Sequence, residues 1–138
     1  MKNFSFLFGA LAAVVLVALL LLVFGVRFTS DVMTYDPAKE IVLTGTVLDH
    51  AEFACPASDS ELGEHILIKV QDKTYMIHLA PARVMRSLKW KFANGESIQV
   101  RGAQVSYRGT DGLIARQISR ADEVFTFRDP NGTLLVKQ

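Results

Sequence analysis

The chain has 138 residues, 50% of them hydrophobic, with 15 Lys plus Arg against 14 Asp plus Glu and a formal net charge of +1 at pH 7. That balance leaves no basic stripe of the kind nucleic acid selects and no polybasic face to lie flat on anionic lipid. A single cysteine, Cys55, excludes an intrachain disulfide, and the length accommodates one compact domain beyond a short leading segment.

Phe4 to Val26 is an uncharged, almost wholly apolar run. At about 1.5 Å per residue a helix of that length reaches roughly 35 Å, enough to cross a ~30 Å hydrocarbon layer. A cleavable secretory signal shares the positive start at Lys2, but its apolar core is shorter. In addition, Phe24-Gly25-Val26-Arg27-Phe28 offers no A-x-A-like pair of small residues. The expected organisation is a retained single-pass anchor over residues 1–28, a polar linker over 29–39 and one domain over 40–138. The anchor is expected in the bacterial inner membrane with the domain facing the periplasm.

Beyond the linker the residue classes alternate with a period of two, broken by turn signals. A first strand is expected from Glu40 to His50, with Ile41, Leu43 and Val47 inward and Gly45 marking a bulge or bend. A long loop over Ala51 to Gly63 carries Cys55. Strands over Glu64–Val70 and Thr74–Ala80 follow, joined by a tight turn near Gln71-Asp72-Lys73. Pro81 then opens a helix whose apolar stripe is Val84, Met85, Leu88 and Phe92 and which ends at Asn94-Gly95. A fourth strand over Ser97–Tyr107, bent at Gly102, and a fifth over Leu113–Ser119 lead to a last hairpin turning at Asp129-Pro130-Asn131-Gly132. The predicted class is mainly β, a five-stranded OB-like barrel with one helix between strands 3 and 4, preceded by a single N-terminal transmembrane helix.

The stretches GTVLDHAEFACPAS, HLAPARVM, NGESIQVRGAQV, LIARQISR and FTFRDPNG together cover most of Thr44 to Gly132. In them the chain resembles a family of small, exported or membrane-anchored bacterial OB-fold-like domains, some of them associated with magnetosomes. None of these stretches is a catalytic signature. Members of that family often finish with a G-x-P-L-W-like tail, where this chain has Gly132-Thr133-Leu134-Leu135-Val136. The layout is also distantly similar to the membrane-anchored haem chaperone of cytochrome c maturation, whose haem-carrying histidine follows the last barrel strand. Here Ile118 to Phe125 contains no histidine, so the resemblance implies no covalent haem carriage by that chemistry.

Cys55, His65 and His78 form the one constellation with metal chemistry, with His50 as a further candidate. If the hairpin turns at Gln71-Asp72, residues whose numbers sum to 143 pair, which sets His65 opposite His78 on the face away from Ile66, Ile68 and Ile77. Two such imidazoles and a thiolate would suit copper, zinc or haem iron. The alternative is a pair of solvent-facing histidines and a buried structural thiol. Arg116, Arg120 and Arg128 read as a solvated face paired with acids, Asp122-Glu123 as a solvated turn, and Trp90 as either a cap on the fold or an interfacial residue.

No nucleotide, hydrolase or metalloprotease motif occurs, and no small-molecule substrate is identified. The expected function is a non-enzymatic envelope module bound to an integral membrane protein complex, anchored through residues 4–26 and without nucleic acid. The alternative is a metal- or haem-handling factor using Cys55, His65 and His78.

Overall fold

The computed structural model describes residues 33–57 and 61–135. The expected anchor and the start of the linker lie outside the described residues, and among those described no helix is long and apolar enough to cross a membrane. After a 3-10 turn at Pro37–Lys39, capped by the Asp36 side chain, come β1 (Glu40–Ala54), β2 (Leu62–Val70), β3 (Lys73–Pro81), α1 (Ala82–Leu88), β4 (Ser97–Tyr107), β5 (Thr110–Arg120) and β6 (Glu123–Thr126). The domain is mainly β, with its one α-helix between the third and fourth strands as the alternation predicts.

β1 runs on through Ala54, four residues past its expected end, because it serves two partners in turn. Its first half pairs antiparallel with β4, Glu40 opposite Ala103 through Thr46 opposite Ser97. Its second half pairs with β2, down to Ala54 opposite Leu62. The register shift falls between Val47 and Asp49, not at Gly45, which stays in register with Ile98. β2 pairs with β3, β3 runs parallel to β5 from Met76 opposite Gly112 to His78 opposite Ile114, and β5 pairs with β4. The pairings close a ring in the order β1, β2, β3, β5, β4 and back to β1, with β6 added outside β5. Gly112 permits the closure, because a Cβ there would lie 2.3 Å from the Met76 carbonyl oxygen.

Inside the ring the apolar positions of each strand converge: Val47, Ile66, Ile68, Ile77, Leu79, Ile98, Val100, Leu113 and Ile118 are all buried. The helix is shorter than its apolar stripe suggests. Lys89 adopts a left-handed conformation and closes it at Leu88, so Phe92 lies beyond the helix. The turn lets Trp90 pack on Phe92 and Phe125, at ring-centroid distances of 4.9 and 5.2 Å, with Phe127 beneath. Burying several aromatic rings, at roughly 1.5–3 kcal/mol each, outweighs about one more turn of helix. The Arg120 guanidinium lies over Trp90, 4.6 Å from its centroid, so Trp90 caps the fold.

Glu40 ties the entry of β1 to the rest. It accepts from Arg116 at 2.7 and 2.8 Å, from Arg101 at 3.3 Å and from the Tyr35 hydroxyl. Arg116 chiefly holds the Glu40 carboxyl down at about 2, while burial and the Glu40 carboxylate push Tyr35 up to about 12.

The closure at Gly112 is testable by contrast. Gly112→Ala is expected to cost about 1–3 kcal/mol as backbone overpacking. Gly109→Ala, at an exposed turn with φ +78° and nothing within 4 Å, is expected to cost about 1 kcal/mol of conformational strain. Urea denaturation of both variants ranks them, and an equal loss would show that the close approach of β3 to β5 is not limiting.

Candidate metal centre

The β2–β3 hairpin turns at Gln71-Asp72 in the register that sequence reasoning set: Ile66 pairs with Ile77 and His65 with His78. Exposure is where the expectation fails. Both imidazoles are 2% exposed, so the reading of a solvent-facing pair is corrected. The alternation of a hairpin reports only which residues share a face, and here distant segments cover the second face. Phe53, near the end of β1, stacks flat on His65 at a centroid distance of 3.7 Å and an interplanar angle of 8°. The chain after β1 then brings buried Cys55 against His78, and the segment after β6 brings in buried Arg128.

Cys55 Sγ lies 3.6 Å from His78 Nδ1, and the ligand atoms of Cys55, His65 and His78 all fall within 4.8 Å of one another. The two imidazoles meet edge to face, with ring centroids 4.8 Å apart. Backbone contacts hold the loop in place: Cys55 N–H donates to the Glu61 carbonyl at 3.0 Å, and Met33 N–H to the Pro56 carbonyl at 3.2 Å. Gly63 makes the approach possible, since a Cβ there would sit 2.5 Å from Cys55 Cβ and 3.2 Å from His65 Cε1. The strand is irregular at the same place, between Gly63 and His65.

Both ring nitrogens of His65 are buried without a hydrogen-bond partner. Burial lowers its pKa to about 4, and the neighbouring backbone of Ala51 and Gly63, short of hydrogen-bond geometry, opposes this only in part. His78 is pushed down to about 3, first by burial and then by His65 and the positive Arg128. Arg128 is lowered to about 10 by burial, with Cys55 and Tyr35 opposing, and so stays a cation at neutral pH. Its side chain donates to the carbonyls of Leu79, at 2.6 Å, and Ala115, and no carboxylate pairs with it among the described residues.

Arg128 therefore leaves the solvated, acid-paired set expected for the three arginines. Arg116 and Arg120 are acid-paired as expected, on Glu40 and on Glu96 and Glu123, but at 19% and 21% side-chain exposure they are half-buried and form no solvated face. His50 is exposed and outside the cluster; it lines both a cleft with Glu52, Glu64 and Met85 and the cavity that reaches His65. Sequence reasoning missed Phe53 and Gly63 and placed Arg128 on the surface. A glycine opening a strand is a signal of close approach, but nothing local marks Arg128 as buried.

The donor set fits a soft transition ion. Bonds of about 2.0–2.3 Å to nitrogen and sulfur place donors roughly 3.3–3.9 Å apart, so the Cys55–His78 spacing already fits and the wider one closes with about 1 Å of movement. Haem does not fit. The cavity that reaches His65 holds about 130 Å³, well under the ~300 Å³ at which small-molecule pockets begin.

A family model described as the MamS/MamX magnetosome protein family matches residues 40–125, which include all three ligand candidates. No curated protein matches the chain. Among solved structures it is similar to the small single-stranded DNA-binding protein from Streptomyces coelicolor, with 13% identity, 65% of this chain and 95% of that one covered, and a TM-score of 0.48. The mitochondrial single-stranded DNA-binding protein Rim1 from S. cerevisiae follows with 14% identity, 64% and 97% coverage and a TM-score of 0.46. A murine DNA-binding protein bound with double-stranded DNA has 12% identity, 64% and 43% coverage and a TM-score of 0.37. Likeness at this level says nothing about what the chain binds.

The buried imidazoles set a pH dependence for the metal-free protein. Their folded pKa values lie below the ordinary histidine value of 6.5, so between those limits the unfolded chain binds more protons and stability falls as pH falls. Urea denaturation in chelator is expected to lose about 2 kcal/mol per histidine between pH 7 and pH 5, and His65→Phe to remove about half of that slope. A flat profile over this window would show that the imidazoles are hydrated.

Proposed function

The chain belongs to the MamS/MamX magnetosome protein family, and from that premise we propose that it is an accessory module whose own chemistry is to hold one soft transition-metal ion between Cys55, His65 and His78. The observation that carries this reading is His65, a buried imidazole with both nitrogens unpartnered, lying beside a thiol and a second buried imidazole. A purely structural position would be better filled by a ring without nitrogens. Each unsatisfied buried polar atom costs about 1–3 kcal/mol, a cost that bonding to a metal ion removes at one of them. Gly63 supports the same reading, because it keeps open the approach between Cys55 and His65.

In this proposal the chain holds the ion and does not turn over a substrate. A neutral imidazole is the form a metal requires, and burial keeps both histidines neutral over the physiological range. The setting belongs to the same proposal: an anchor through residues 4–26 places the domain beside an integral membrane protein complex on the periplasmic side. That part rests on the apolar run alone.

Reduced full-length protein titrated separately with Cu(I), Co(II) and Zn(II) is expected to bind one equivalent of at least one of them. Cys55→Ser and His78→Gln should each weaken binding roughly 100-fold or more, while Lys73→Gln, exposed at the hairpin turn, leaves it unchanged. No stoichiometric uptake of any of the three, or uptake indifferent to Cys55 and His78, would overturn the assignment.

A further inference from the structure

Building on the metal-binding reading above, we propose that the ion is monovalent copper and that Arg128 is the residue that turns divalent ions away. The donors contribute one negative charge, the Cys55 thiolate, and two neutral rings. A monovalent ion is neutralised by that thiolate, whereas a divalent one leaves a net positive charge in a cluster shielded from water.

Arg128 makes that residual charge costly. It is 5% exposed, its side-chain bonds go to the carbonyls of Leu79 and Ala115, and no carboxylate among the described residues offsets it. Leu79 directly follows His78, so the guanidinium is fastened to the backbone of the same strand that carries a ligand. At an effective dielectric of ~20, two like unit charges sharing such a buried cluster repel enough to lower affinity by roughly tenfold or more. A neutral Cu(I)–thiolate unit largely escapes that repulsion.

The approach to the cluster agrees. The cavity of about 130 Å³ beside His65 is lined by Phe53, Leu67 and Met76 together with Asp49 and His50. Met76 offers a thioether, a soft donor that suits cuprous copper and serves zinc poorly. It lies on β3 two residues before His78, on the same face of the strand, and borders the cavity that reaches His65.

The test compares reduced, oxygen-free full-length protein with Arg128→Gln and Arg128→Lys, using Cu(I) buffered by bicinchoninate and Zn(II) supplied alone. Wild type should take one Cu(I), which displaces any Zn(II) when one equivalent of each is present. Arg128→Gln should raise Zn(II) affinity about tenfold or more while changing Cu(I) affinity by under about threefold, and Arg128→Lys should behave as wild type. Zn(II) affinity unmoved in a folded Arg128→Gln variant, or Zn(II) retained by wild type against one equivalent of Cu(I), would overturn the choice of ion and leave the metal site standing. Should Arg128→Gln fail to fold, as judged by near-ultraviolet circular dichroism, the wild-type competition still decides. Uptake of neither ion would overturn the choice of ion, and with no uptake of Co(II) either it would overturn the metal site itself.

Discussion

The constraint on which the structure turns is that the β2–β3 hairpin is buried on both faces. On one face lie Ile66, Ile68 and Ile77, as in any small β domain. On the other lie His65 and His78, sealed by Phe53, Cys55 and Arg128. Two unpartnered ring nitrogens cost about 1–3 kcal/mol each, and a buried guanidinium costs more. Against a net stability of about 5–15 kcal/mol for a domain, that is a large share to spend on one cluster. A protein keeping such a cluster without a ligand would gain stability from almost any apolar replacement.

The ring of strands makes the cluster possible. β1 changes partner between Val47 and Asp49, which carries its second half alongside β2 and delivers Phe53 and Cys55 to the hairpin. β3 then pairs with β5 across Gly112, and the same β5 offers the Ala115 carbonyl to Arg128. Each ligand therefore sits on, or immediately beyond, a strand fixed by pairing. Such support holds donor positions more tightly than free loops would. At the entry of β1, Glu40 binds Arg101 on the adjacent β4 and Arg116 on β5 beyond it, pinning the chain just after the linker.

Much of this was legible in the sequence, for identifiable reasons. Period-two alternation and the turn at Gln71-Asp72 sufficed for the hairpin register, down to His65 opposite His78. Ser97–Tyr107 came out with the predicted bounds because a clear Asn-Gly turn precedes it and an Arg-Gly turn follows. The end of the helix did not, since the stripe through Phe92 continues past Leu88 and only the aromatic contacts with Phe125 and Phe127 decide where the chain turns. Burial of the histidines was equally out of reach, because it depends on segments up to 63 positions away, and alternation is a local signal. Arg128 shows the same limit: next to the Asp129 turn it reads as surface, and only tertiary structure sets it between two carbonyls.

A metal centre at Cys55, His65 and His78 is defined by the identity of the atoms around the ion. X-ray absorption at the metal edge of the loaded full-length protein addresses it directly. One sulfur at about 2.2–2.3 Å and two imidazole nitrogens near 2.0 Å, with the sulfur shell lost in Cys55→Ser, is the predicted result. A shell of light scatterers alone, or a spectrum unchanged by removing the thiol, would contradict it.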